Sequence, residues 1–195
     1  EISLFDNEND APKYYVYDPY GVDSDWTDPA KAVKRAFDIT GVVRSESGGE
    51  VWAPGNRMTK NQIMKITESI IEEGESSLSV CLDSILAFEG IQKSSAALLA
   101  SGMTISDILE ENIEESQALI LSGCTLDSVL YYVNREIPVM AMLNDGNAVL
   151  IVGFNELNTV IMDPMTGTIY KKGMLDSTQW FEENGNNFIC YTKKE

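Results

Sequence analysis

The chain reads as an α+β protein: a helical N-terminal half packed on an antiparallel sheet, with a small strand–helix–hairpin unit in front. Two observations carry that class. Between Leu78 and Leu130, apolar residues recur at helical spacing, and segments stop at glycine and restart at threonine. From Pro138 onward the pattern changes to short β-rich runs, the first two flanking Asn144-Asp145-Gly146, a hairpin turn signal. Helices followed by strands, rather than alternating with them, argue for α+β.

Three segments follow from composition. Residues 1–12 are polar and read as a loose lead-in, and Asp6, Glu8 and Asp10 alternate there like the start of a calcium loop. That loop needs glycine at its sixth position and a closing glutamate, and Ala11 and Tyr17 stand in those places. Residues 13–57 read as the small unit. Tyr14–Tyr17 is a β-rich run closed by the turn Asp18–Gly21, and Thr27 or Asp28 caps a helix that opens with Pro29. Ala32, Val33, Ala36 and Phe37 form its apolar face, Gly41 stops it, and a hairpin turns through Ser47–Glu50. Trp26 and Trp52 are expected to pack this small unit onto the main body, with ligand binding as the alternative use.

Residues 58–195 form the main domain. Thr59 caps a helix carrying Ile63, Ile66 and Ile70 and ending at Gly74; a second helix spans Leu78–Glu89, burying Cys81, Ile85 and Phe88. Leu98–Leu109 and Leu119–Leu130 then echo one another. Each copy is expected to end a helix at Gly102 or Gly123 and restart one at Thr104 or Thr125, with Asp107 in a capping-box position. Strands are expected at Val139–Leu143, Ala148–Phe154, Val160–Met162, Thr168–Tyr170 and Phe188–Tyr191. Met140, Met142 and Met162 are read as core residues, not ligands.

Composition limits the chemistry. The chain has 195 residues, a net charge of −17 and no histidine. Such an acidic surface disfavours nucleic acid and anionic membrane as partners. No apolar run is long enough for a membrane helix. Cys81, Cys124 and Cys190 show neither zinc spacing nor a disulfide framework, so neither metal nor cofactor is expected. Without an imidazole, neither a Cys–His nor a Ser–His pair can be assembled. A start at Glu1 suggests a piece excised from a larger protein.

The run Pro138–Leu143, the Asn144–Gly146 turn, Asn147–Phe154 ending in Gly153-Phe154, and Val160–Pro164 ending in Asp163-Pro164 together resemble the double-glycine peptidase-like branch of papain-like cysteine peptidases. The resemblance covers about residues 76–192 and implies a papain-like fold. By position it sets Asn147 in the place of the catalytic histidine, retains Asp163 as the aspartate that orients it, and puts Ser77 in the nucleophile's place. Cys81, one helical turn further in, is the runner-up nucleophile. The Cys-Gly-Pro that marks the nucleophile in that family is absent.

Each of these residues also has a plainer use. Ser77 is a favoured helix N-cap, Asn147 follows a tight turn, Asp163 before Pro164 is an ordinary strand exit, and Cys81 lies on an apolar helical face. The expected protein is therefore a degenerate, non-catalytic peptidase-like domain that binds peptide or protein, or scaffolds, within a larger bacterial envelope-associated or secreted protein. Two alternatives are an active thiol peptidase using Cys81 with Asp163 as its base, and a purely structural domain.

Overall fold

The computed structural model describes residues 11–55 and 63–193. Asp6, Glu8, Asp10 and Thr59 lie outside them. The chain divides into two compact units, Glu1–Gly55 and Asn56–Glu195.

The first unit is a four-stranded sheet of order β2-β1-β3-β4, carrying one helix between its two hairpins. Its strands are β1 (Tyr14–Asp18), β2 (Gly21–Trp26), β3 (Val42–Ser45) and β4 (Glu50–Trp52), and its helix is α1 (Pro29–Ile39). Asp28 is the N-cap, its carboxylate accepting from the Ala30 amide at 2.9 Å. The helix buries Ala30, Ala32, Val33 and Ala36, whereas Phe37 stays 41% exposed with its ring 6.3 Å from that of buried Trp52. Thr40 takes the left-handed turn that ends α1. Gly41 answers a different need: a Cβ there would stand 2.6 Å from the Tyr17 carbonyl oxygen.

β2 escaped the sequence reading. Its segment GVDSDW is mostly polar, and its strand character comes from pairing with β1, Tyr14 opposite Trp26. On it, Asp23 accepts both Arg35 hydrogen bonds of a bidentate clasp, each 2.9 Å.

The second unit holds a six-stranded antiparallel sheet of order β5-β10-β6-β7-β8-β9. The strands are β5 (Ser116–Ser122), β6 (Val139–Met142), β7 (Ala148–Phe154), β8 (Asn158–Asp163), β9 (Thr168–Gly173) and β10 (Asn187–Lys193). The helices are α2 (Ser77–Phe88), α3 (Ser95–Ala100), α4 (Ile105–Asn112), α5 (Leu126–Asn134) and α6 (Met174–Glu183). β7 is the centre of the core, buried at all seven positions, with α2 and α5 packed on it. Cys81, Met140 and Met162 are fully buried, and Phe88 is only half-buried.

Three expectations are corrected. The helix through Ile63, Ile66 and Ile70 is absent. Ile63 instead bridges Gly153 antiparallel, and the Met64 amide donates to the Val152 carbonyl at 2.9 Å. The reason lies in the sheet: β6 pairs with β7 only as far as Ile151, leaving the edge of β7 beyond it open to this segment. Met64 and Ile66 are buried while Ile63 and Ile70 are exposed, so the isoleucine spacing that mimicked a helix marks an extended strap. The second correction concerns the echo. Thr104 and Asp107 form a capping box on α4, and Thr125 caps α5, but Leu119–Ser122 belongs to β5 and not to a helix. Pairing with β10 along its full length overrides local propensity there. The third is α6, which interrupts the run of strands between β9 and β10.

The Arg35 hydrogen bonds, and then that of Ser24, lower the Asp23 pKa from an ordinary 3.8 to about 2. Because the folded value is depressed, the clasp stabilises above the ordinary carboxylate range and loses that contribution as pH falls towards about 2. A carboxyl-carbon NMR titration should place the Asp23 midpoint near that value. Arg35→Gln should return it to the ordinary carboxylate range.

Candidate functional site

The site forms where the first turn of α2 meets the start of β7. Ser76, not Ser77, caps α2: its hydroxyl accepts from the Ser79 amide at 3.1 Å, and the Ser79 hydroxyl lies 2.9 Å from the Ser76 amide. That reciprocal box corrects the reading of Ser77 as the cap and leaves its hydroxyl available for other bonds. Ser77 is 2% exposed; it donates to Asn147 Oδ1 at 3.0 Å and accepts from the Ala148 amide at 2.9 Å.

The sheet explains why that amide is available. The Leu143 amide donates to the Asn147 carbonyl, so residue 147 faces β6, and alternation turns the Ala148 amide towards β8. There the register Leu150 opposite Met162, continued by two residues, brings Pro164 across from Ala148. The Pro164 carbonyl already accepts from the Ile71 amide at 3.0 Å, so the serine hydroxyl takes the place of a ladder partner.

Asn147 is positioned by its turn. Gly146 has φ 87°, and Asp145 Oδ1 accepts from the Asn147 amide at 2.9 Å. Bonds from the Asn147 backbone, and then from its side chain, hold the Asp145 carboxyl below its ordinary pKa. Asn144 ties the same turn to the end of α6: its amide donates to Asn184 Oδ1 and its Nδ2 to the Glu183 carbonyl, both at 2.9 Å.

Asp163 ends β8 close by but serves its own turn. Its Oδ1 accepts from the Met165 amide at 2.9 Å and its carbonyl from the Gly167 amide at 2.9 Å. No hydrogen bond joins it to Asn147 among the described residues. Its charge is nonetheless felt by two neighbours. Burial pushes the Cys81 thiol well above the usual thiol range, and Asp163 adds to that shift. Tyr170 is raised in the same way, by burial first and then by Asp163.

The structure thus brings Ser77 and Asn147 into contact; Cys81 lies one turn further along α2, and Asp163, at the end of β8, acts on its thiol electrostatically. Sequence reasoning missed the Ala148 amide and the Ile71–Pro164 link, which come from register and from the strap. The readable signal was the pair Ser76 and Ser79, three residues apart, which places the cap one residue ahead of Ser77. Among the described residues no three His, Cys, Asp or Glu side chains group as metal ligands, and no helix is long and apolar enough to cross a membrane.

A crystal structure assigned as a C39-like peptidase from Bacillus anthracis superposes with a TM-score of 0.54 at 14% identity, covering 70% of this chain and 100% of that one. The second unit has the C39-like peptidase fold. A double-glycine-motif protease from an AMS/PCAT transporter, crystallised with its leader peptide, is also similar, with a TM-score of 0.42 and 18% identity over 69% of this chain and 94% of that one. No family model and no curated protein matches the chain. The C39-like fold is the papain-like α+β architecture that the resemblance implied.

Two measurements check this geometry. Ser77→Ala leaves the Ala148 amide without its partner and should destabilise the larger unit by about 1–3 kcal/mol in urea unfolding. Asn147→Ala, which keeps that amide bonded, should cost less. Iodoacetamide at neutral pH should leave Cys81 unmodified in the folded protein and label it once urea unfolds the chain. Rapid native-state labelling of Cys81 would show a thiolate that the buried site does not favour.

Proposed function

We propose that the second unit is a non-catalytic peptidase-like domain that binds a peptide or protein, or scaffolds one, as part of a larger envelope-associated or secreted bacterial protein. The observation that carries this reading is the contact between Ser77 and Asn147. At the positions assigned by resemblance to nucleophile and base stand a hydroxyl and an amide, bonded to each other. Ser77 accepts from Ala148, so its own proton points at Asn147 Oδ1, an amide oxygen too weakly basic to take it. General-base catalysis contributes about 10²–10⁴ in rate, and that contribution is lost here. Asp163 has no imidazole to orient, and Cys81 is buried with its thiolate disfavoured.

A purely structural role is the second reading, favoured by the 2% exposure of Ser77. The two separate by experiment. The purified protein should leave a fluorogenic peptide library uncut. Hydrolysis abolished by Ser77→Ala or Cys81→Ser would falsify the non-catalytic assignment. Peptides selected by display on the immobilised protein should shift the amide resonances of Asn147, Ala148 and Met165. Selected binders that leave those three unmoved would favour the structural role.

A further inference from the structure

The first unit carries a cleft that the peptidase-like reading does not use. Its volume is about 330 Å³, and Lys13, Asp25, Trp26, Thr27, Asp28 and Lys31 line it, all from residues 13–31. Trp26 is half-buried in its wall and is held by a continuous chain of hydrogen bonds. Its indole N–H donates to Ser24 Oγ at 2.8 Å, Ser24 donates to Asp23 Oδ2 at 2.9 Å, and Arg35 of α1 grips Asp23 through two bonds of 2.9 Å. Every donor in this relay has an acceptor, so the indole is oriented before any ligand arrives.

The rim around the ring is mixed in sign. Lys13 Nζ lies 3.9 Å from Asp25 Oδ2, a loose ion pair whose side chains are 45% and 59% exposed. Asp28 uses one carboxylate oxygen on the Ala30 amide, and Lys31 projects from the first turn of α1. An anion entering the cleft meets two carboxylates, and a cation meets two ammonium groups. A neutral polyol meets neither penalty. Its hydroxyls both donate and accept, matching carboxylate and ammonium in turn, and the C–H face of a pyranose ring would supply an apolar partner for the indole that lines the cleft.

We infer that the Trp26 cleft is a binding site for a neutral saccharide, with Trp26 as the stacking platform and Asp25, Asp28, Lys13 and Lys31 as the hydroxyl partners. The relay through Ser24, Asp23 and Arg35 positions the platform without touching the sugar. The site belongs to the first unit alone and does not depend on whether the second unit is catalytic.

Saturation-transfer NMR and calorimetry on the full chain test it, with chitotriose, cellotriose and maltotriose as probes and inorganic phosphate and putrescine as ionic comparisons. At least one trisaccharide should bind in the millimolar range and quench tryptophan fluorescence. Trp26→Ala should abolish binding. Asp25→Ala and Lys31→Ala, both at exposed positions, should each weaken it by about tenfold, or about 1.4 kcal/mol. Arg35→Gln should weaken binding and broaden the Trp26 indole N–H resonance, a signature that loss of a rim contact alone does not produce. Tighter binding of phosphate or putrescine than of every trisaccharide would overturn the inference. So would an absence of trisaccharide binding, or binding unchanged in both Asp25→Ala and Lys31→Ala.

Discussion

The buried hydroxyl of Ser77 joins the first turn of α2 to the first residue of the central strand, and the arrangement of the second unit turns on that junction. It satisfies an amide that the sheet leaves unpaired, because the Pro164 carbonyl across from Ala148 already accepts from the Ile71 amide. A buried amide without a partner costs about 1–3 kcal/mol, enough to matter in a domain of ordinary marginal stability. The same hydroxyl spends its proton on Asn147. One group thus closes the core and ties the first turn of α2 to the turn before β7.

Three polar side chains near this junction hold turns. Asp145 holds the turn before Asn147, Asn144 ties that turn to the end of α6, and Asp163 holds the turn after β8. The strap between Ile63 and Ile71 runs from the free edge of β7 to the carbonyl of Pro164. These hydrogen bonds fix conformation, and Cys81 sits where burial disfavours its charged form.

Much of this was legible in the residues themselves. The Asn144–Gly146 hairpin, the strands on either side of it and the caps at Asp28, Thr104 and Thr125 were all marked by local chemistry. What misled was periodicity without context. Ile63, Ile66 and Ile70 keep helical spacing, yet the alternate residues Met64 and Ile66 are the buried ones, because an open strand edge accepts the segment as an extended chain. Leu119–Ser122 looks helical beside its echo and becomes β5 because β10 lies alongside it. β2 carries almost no apolar signal and exists because β1 pairs with it.

The sequence alone determined that no imidazole is present: with no histidine, the chain cannot assemble a Cys–His or Ser–His pair from its own residues, whatever its fold. It also determined the α+β class, through a hydrophobic period that switches at Pro138. Tertiary structure decided which serine caps α2, and that Ser77 and Asn147, seventy positions apart, bond to one another. It also decided that Asp163 serves its own turn. Those outcomes depend on strand register and on which backbone groups the sheet leaves unsatisfied, and a one-dimensional pattern does not carry that information.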